Sequence, residues 1–139
     1  MPDRPKTGLW PLAIPNGFAA RFVYERTWLR GGQINPRVFL PCAVNGVWES
    51  SVCLHDLLGE HGDVKLTGEI IGAKRKKPLA GWADFPIADV PGATDGRLCV
   101  TPSPSKDNPR HANILGWGDK AQHLLLAARL AAISQSYLV

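Results

Sequence analysis

The stretch "GDKAQHLLLAARLAAISQS", residues 118–136, decides the fold of this chain. Every residue from Ala121 to Ser134 is a tolerable or good helix former. Asp119 can accept hydrogen bonds from the free amides of the first turn, and Gln122, three positions later, can reach back, which is a capping-box pattern. The sequence therefore predicts a C-terminal helix that begins near Asp119.

The apolar side of this helix is wider than the single stripe of an ordinary surface helix. Only Gln122 and Arg129, with Lys120 and Gln135 nearby, mark a polar strip. Either a protein partner or a second copy covers the helix, or the N-terminal arm and residues 81–96 cover its second side. The five tryptophans favour an interface, where this residue is enriched. The apolar positions are Leu124, Leu125, Leu126, Ala128, Leu130, Ala131, Ala132 and Ile133.

Upstream of the helix the chain reads as short strands separated by turns. Asn45-Gly46 supplies the positive φ angles of a type I′ turn and predicts a hairpin. A short helix is expected from Ser50 or Ser51 to Gly59, because Leu54, Leu57 and Leu58 have helical spacing. Alternating apolar and polar residues, or β-branched and aromatic residues, predict the other strands. These are 21–29, a short strand at 38–40, 63–71 with a bulge at Gly68, 97–101 and 111–116.

These elements predict an α+β fold, in which a mainly antiparallel sheet of about five strands packs against the C-terminal helix. Residues 1–20 contain four prolines and are expected to form an extended arm, followed by a single α+β domain over 21–139. Residues 81–96 are expected to be an ordered loop held by their own aromatic side chains.

Composition places the chain among ordinary globular proteins. It has 139 residues, which suits one domain, and its 45% hydrophobic content argues against general disorder. The N-terminus lacks the unbroken apolar segment of a signal peptide, and no run is long enough to span a bilayer, so a cytoplasmic location without a membrane partner is expected. The three cysteines lie far apart in apolar surroundings and are expected to be free thiols.

Positive charge is concentrated in two places and predicts an acidic partner. Arg21, Arg26 and Arg30 lie along or just after a strand that carries Tyr24 and Trp28. Basic residues interleaved with aromatic rings suit nucleic-acid binding. The cluster Lys74, Arg75, Lys76 and Lys77 would add a phosphate clamp. The alternatives are that the lysine-rich turn is simply solvated and that the aromatic side of the strand belongs to the core.

The loop "TPSPSKDNPRHANILGW", residues 101–117, is rich in proline and is expected to be ordered. Asp107 and Asn108 can close a turn, which would deliver Arg110 and His111 to the start of a strand. His111 could act as an acid or base, with Arg110 holding an anion. The other interpretation is structural, with the imidazole hydrogen-bonded to the neighbouring loop. The sequence leaves both interpretations open.

The sequence predicts no metal or cofactor. Cys53, His55 and His61 fall within a short span, but their spacing does not match usual zinc patterns. On the helix expected there, Cys53 and His55 would point away from each other. The chain also lacks a Gly-x-Ser-x-Gly elbow and a glycine-rich phosphate loop followed by Lys-Ser or Lys-Thr.

The segment "DNPRHANILGW", together with "RFVYERTW" near the start, resembles segments of small uncharacterised bacterial proteins. Some of those proteins carry Asn-Pro-x-His-Ala-x-Ile-x-Gly before a terminal strand or helix. The resemblance covers residues 107–117 and brings no activity. It implies a bacterial or phage origin and a role for Asn108, His111 and Ala112.

The function expected from the sequence is that of a small non-catalytic binding module, an accessory subunit of a bacterial protein or nucleoprotein assembly. Its basic residues would contact nucleic acid or another acidic partner, and its C-terminal helix would contact a protein or a second copy. The alternative is a small hydrolase or transferase that acts on nucleotides, with His111 as acid or base. A self-assembling structural protein is a third hypothesis.

Overall fold

A computed structural model describes residues 17–55, 61–106 and 108–139, with the backbone alone for 61–63. Within these residues, seven strands form one antiparallel sheet, accompanied by three α-helices. In chain order the elements are β1 (Phe18–Val23), β2 (Cys42–Val44), β3 (Val47–His55), α1 (His61–Arg75), β4 (Gly81–Pro86), α2 (Val90–Ala93), β5 (Cys99–Pro102), β6 (His111–Leu115), α3 (His123–Ala132) and β7 (Gln135–Leu138). The 3₁₀ segments are Arg26–Gly32, Pro36–Phe39, Ile87–Asp89 and Lys120–Gln122.

The strand order is β5-β6-β3-β1-β4-β7, and β2 pairs with β3 off this path. The predicted α+β class and the mainly antiparallel sheet are confirmed, but the expected number of about five strands is wrong. One unexpected strand is β4, which replaces the first part of the loop expected at 81–96 and whose first five residues are buried. Another is β7, which follows the C-terminal helix.

The sheet carries a hydrophobic cluster on each face. On one face, Leu126 and Leu130 of α3 pack into the main core with Phe85 and Trp117. On the other face, Val64 of α1 joins a smaller cluster. This arrangement follows from the two apolar sides of the central strands, since Ala19 of β1 belongs to the first cluster and its neighbour Ala20 to the second. Other members of the smaller cluster are Leu79, Trp82 and, partly buried, Phe22, Tyr24 and Tyr137.

The strands expected at 21–29 and 38–40 are wrong in extent or type. β1 ends at Val23, and the chain then forms the 3₁₀ segment Arg26–Gly32. Pro36–Phe39 is also a 3₁₀ segment, because the Asn35 side chain accepts a hydrogen bond from the Arg37 amide and Pro36 fixes the first turn. Local capping therefore outweighs the β-propensity of Val38 and Phe39.

The strand expected at 63–71 is wrong, because these residues lie in α1. Val64 is buried, whereas Leu66 and Ile70 are 57% and 49% exposed, so the apparent alternation does not mark a sheet face. The smallness of Gly68, expected to be a bulge, serves instead the close approach of the helix to Phe22.

The helix expected between Ser50 and Gly59 is wrong as far as His55, since these residues continue β3; residues 56–60 lie outside the described residues. The hairpin at Asn45-Gly46 is confirmed, with φ angles of 51° and 79°. The strands expected at 97–101 and 111–116 are also confirmed, with slightly different bounds, as β5 and β6.

The C-terminal helix is confirmed as α3, preceded by the 3₁₀ segment, but the capping box is wrong. The Asp119 side chain makes no capping hydrogen bond. Leu124 and Leu125 are 57% and 52% exposed, so the described residues leave part of the apolar surface uncovered. Of the arm expected over residues 1–20, residues 18–20 begin β1 and residues 1–16 lie outside the described ranges.

Candidate functional site

A cleft opens where β1 and β3 diverge. The two strands pair only over Phe18–Ala20, opposite 53–55, after which the remainder of β3 pairs with β2 and β6. The space left beside β1 is a cavity of about 720 Å³. This volume lies within the range of about 300–1,000 Å³ that is typical of ligand sites.

The lining of the cavity is strongly basic, and we call it the basic cleft. Its cations are Arg21, Arg37, Arg75 and Lys77, and Glu25 is the single carboxylate in its described lining. These cations come from β1, from a 3₁₀ segment and from the end of α1 and the turn after it. The field inside a concave, partly apolar site is stronger than over an open surface, so the cleft favours anionic ligands.

Arg21 bridges the two diverging parts of the sheet. Its Nε donates to the Val38 carbonyl at 2.9 Å and its Nη1 donates to the Ser51 carbonyl at 2.8 Å. Burial, with a smaller effect of Arg75, lowers the pKa of Arg21 from its usual value. A guanidinium still remains protonated in proteins. Both bonds that Arg21 makes to described residues go to neutral carbonyls, which solvate its positive charge without neutralising it.

The end of α1 is held against β1 by Tyr24. The Tyr24 hydroxyl donates to the Gly68 carbonyl at 3.1 Å, and the Arg75 guanidinium lies over the Tyr24 ring, 5.5 Å from its centroid. A Cβ on Gly72 would lie 2.5 Å from the Lys77 carbonyl oxygen and 3.0 Å from Tyr24. Because Gly72 has no side chain, the end of α1 can pack closely against Tyr24 and the turn at Lys77, which places Arg75 at the cleft.

The proline loop brings His111 to the same cavity. The Asn108 amide donates to Ser105 Oγ at 3.0 Å, and Asn108 Oδ1 accepts from the Arg110 amide at 3.0 Å. His111 Nδ1 bonds to the Ser103 carbonyl at 2.7 Å. The described part of this loop is thus ordered by its own hydrogen bonds, while Asp107 lies outside the described residues.

Five of the site residues predicted from the sequence meet in the basic cleft, and five do not. Arg21, Arg75, Lys77, Asn108 and His111 line it. Lys74 and Lys76 do not line the cleft. Arg26 and Arg30 line a separate cavity of about 360 Å³. Arg110 and Cys53 line another cavity, of about 210 Å³. Arg110 and His111 therefore line different cavities although they are adjacent in the sequence.

Sequence reasoning missed Arg37 as a cleft residue. The Asn35-Pro36 pair just before it is a recognisable turn signal that could have placed Arg37 at an exposed, fixed position.

It also missed a buried polar pair, His55 and Asp84. His55 Nε2 and Asp84 Oδ1 are 2.6 Å apart, and both residues are almost completely buried. His55 stacks on Phe18 with ring centroids 5.5 Å apart. Because residue 55 belongs to a strand, Cys53 and His55 lie on the same face of β3, which corrects the helical geometry expected for them.

The described residues contain no group of three or more metal-ligating side chains, and no helix among them is long and apolar enough to cross a membrane. Comparison of the chain with protein-family models, with curated proteins and with solved structures found no match. The case for a function therefore rests on the chemistry of the basic cleft.

Proposed function

We propose that this chain is a small non-catalytic binding module that holds the phosphate backbone of a nucleic acid in the basic cleft. One observation carries the proposal: four cations from three separate parts of the sequence line one cavity, whose described lining has a single carboxylate. These cations are Arg21, Arg37, Arg75 and Lys77. Arginine and lysine are the residues that bind phosphate oxygens in proteins, and arginine adds bidentate geometry.

The electrostatic state of Arg21 supports the same ligand class. Partial burial of Arg21 without a counter-charge among the described residues has a desolvation cost, and a bound anion offsets this cost. Phosphates that bind in the cleft would also release the counterions condensed on the nucleic acid, which makes the affinity depend on salt.

The exposed leucines of α3 support the wider role of an accessory subunit in a bacterial protein or nucleoprotein assembly. Leu124 and Leu125 lie side by side on the helix and are both more than half exposed. Exposed apolar side chains that adjoin each other suit contact with a protein partner or a second copy.

The test compares two double variants of the same basic cluster. Arg75→Gln with Lys77→Gln removes two cations that line the cleft, and Lys74→Gln with Lys76→Gln removes two that do not. Both variants lower the net charge by the same amount. Binding of a fluorescein-labelled, single-stranded oligonucleotide of mixed sequence is measured by fluorescence anisotropy at several salt concentrations.

We expect the cleft variant to lose affinity by about tenfold or more and to show a shallower dependence of affinity on salt. The control variant should lose much less affinity. Equal losses would show that net charge, not the cleft, attracts the nucleic acid. If the wild-type protein shows no binding even at low salt, the proposed function is wrong.

A second candidate function is a small hydrolase or transferase that acts on nucleotides, which the position of His111 favours. His111 lines the same cleft as Arg75 and Lys77, which could hold a phosphate in place of Arg110, since Arg110 lines another cavity. This hypothesis predicts turnover of a nucleoside phosphate or of an RNA strand that His111→Ala abolishes without unfolding the protein. Intact substrates after prolonged incubation with the wild-type protein would exclude it for the substrates tested.

A further inference from the structure

We infer that the basic cleft distinguishes RNA from DNA, because His111 presents a hydrogen-bond acceptor to the 2′-hydroxyl of a bound ribose. The inference rests on the proposed function, since it concerns the sugar of a strand whose phosphates the cleft holds. It adds a recognition residue and a ligand class to that function.

The hydrogen bond between His111 and the loop determines which ring nitrogen is the acceptor. The Ser103 carbonyl, 2.7 Å from His111 Nδ1, can only accept a hydrogen bond. Nδ1 therefore carries the proton, and in the neutral imidazole Nε2 carries a lone pair. The same hydrogen bond fixes the ring, so the lone pair has a defined direction.

The acceptor and the cations belong to one cavity. His111 lines the basic cleft together with Arg75 and Lys77. A ribose lies between successive phosphates of a strand, so a chain whose phosphates contact these cations brings its sugars to the same cavity. The 2′-hydroxyl is a donor that DNA lacks, and it is the group by which proteins tell the two apart.

A second acceptor lies on the same face of the sheet. Asn113 is only 9% exposed, and its Oδ1 is buried without a hydrogen-bond partner among the described residues. It lies two residues beyond His111 on β6, and its cross-strand neighbour Ser51 lines the cleft. Of the two, His111 lines the cleft itself, and an acceptor next to a group of cations suits a ligand that combines negative charge with hydroxyl donors, as RNA does.

The experiment compares three single strands of identical sequence made of RNA, DNA and 2′-fluoro RNA. The 2′-fluoro sugar keeps the ribose pucker but has no donor, so the pair of RNA and 2′-fluoro RNA isolates the hydrogen bond. Dissociation constants for the full chain are measured by fluorescence anisotropy at one fixed salt concentration, followed by a gel that shows the RNA to be intact.

We expect RNA to bind about three- to tenfold more tightly than the other two strands, as one hydrogen bond would produce. His111→Phe, which keeps a ring but no acceptor, should bind all three strands alike, and Lys106→Gln, outside the cleft, should keep the preference. Equal binding of RNA and 2′-fluoro RNA by the wild-type protein would overturn this inference and leave the proposed function standing. Failure of all three strands to bind at low salt would overturn both.

Discussion

Asn113 is a buried residue whose side chain is expected to destabilise the folded protein. A buried acceptor without a partner costs about 1–3 kcal/mol, and native proteins keep few of them. Asn is also a poor strand former. Its position on β6, one cross-strand step from the cleft, gives a reason to keep an amide there that stability alone does not supply.

We expect Asn113→Val to raise the free energy of unfolding by about 1 kcal/mol, because it removes the unsatisfied acceptor and introduces a β-branched residue. Urea unfolding of the two proteins in the same buffer measures the difference. A variant that is clearly less stable than the wild type would mean that the amide is satisfied in the folded protein.

Tyr24 makes the stability of the fold sensitive to alkaline pH. Burial raises the pKa of Tyr24, and nearby Arg75 and Arg21 oppose this shift. The unfolded chain, in which tyrosine titrates near pH ~10, therefore releases this proton first. Stability from the neutral phenol is fully present below that pH and is lost as the pH rises through the higher folded pKa.

The corresponding variant is Tyr24→Phe. At neutral pH it should lose about 1 kcal/mol, since it lacks the hydrogen bond to the Gly68 carbonyl. Between about pH 9 and pH 11 its stability should fall less steeply than that of the wild type, because Tyr24 no longer titrates. Some fall remains, because burial also raises the pKa of Tyr137. Urea unfolding at each pH checks both effects, and parallel pH profiles would contradict the second.

At the scale of elements, a helix or hairpin could be predicted from the sequence where residues close in the chain determine its structure. Asn45-Gly46 fixes its own backbone angles, so the hairpin between β2 and β3 could be predicted. The propensities between Ala121 and Ser134 likewise predict α3 without its surroundings. By contrast, α1 contains glycines whose role depends on contacts with Phe22 and Tyr24, which lie more than 40 positions away in the sequence and were not available from local pattern.

Gly72 tests how closely the turn after α1 folds back onto the helix. Alanine favours helix by about 1 kcal/mol over glycine. We nevertheless expect Gly72→Ala to destabilise the fold by about 1–3 kcal/mol, because the new Cβ would meet the Lys77 backbone carbonyl at 2.5 Å.

Gly92→Ala is the matched control. Gly92 lies in α2, and a Cβ there would have no neighbour within 4 Å. Thermal unfolding should show a lower midpoint for Gly72→Ala and an unchanged or higher one for Gly92→Ala. If Gly72→Ala is at least as stable as the wild type, the turn after α1 does not fold back onto Gly72 as closely as described.

At the scale of the whole molecule, the cleft depends on topology. The sequence identified Arg21, the cluster 74–77 and His111 one by one. It could not show that they meet, because their meeting depends on where β1 separates from β3 and on the direction of α1, which was expected to be a strand. It also grouped Arg110 with His111, although the two residues line different cavities.

The uncovered side of α3 yields a prediction about assembly. Replacing Leu124 and Leu125 by lysine should change the free energy of unfolding by no more than about 0.5 kcal/mol, since both side chains are largely exposed. If this surface binds a second copy, light scattering should show a smaller particle for the variant at equal concentration. Unfolding of the variant would instead mean that other residues of the chain cover these leucines.

The cysteines allow the location of the bound strand to be measured within one molecule. Cys42 is exposed and lines the basic cleft, whereas Cys99 is exposed and does not. Alkylation with iodoacetamide is followed by mass spectrometry, with and without saturating single-stranded RNA. We predict that RNA slows the modification of Cys42 by about tenfold or more and leaves the rate for Cys99 unchanged, as expected for a ligand that excludes solvent from the cleft. Equal alkylation rates of Cys42 with and without bound RNA would contradict it.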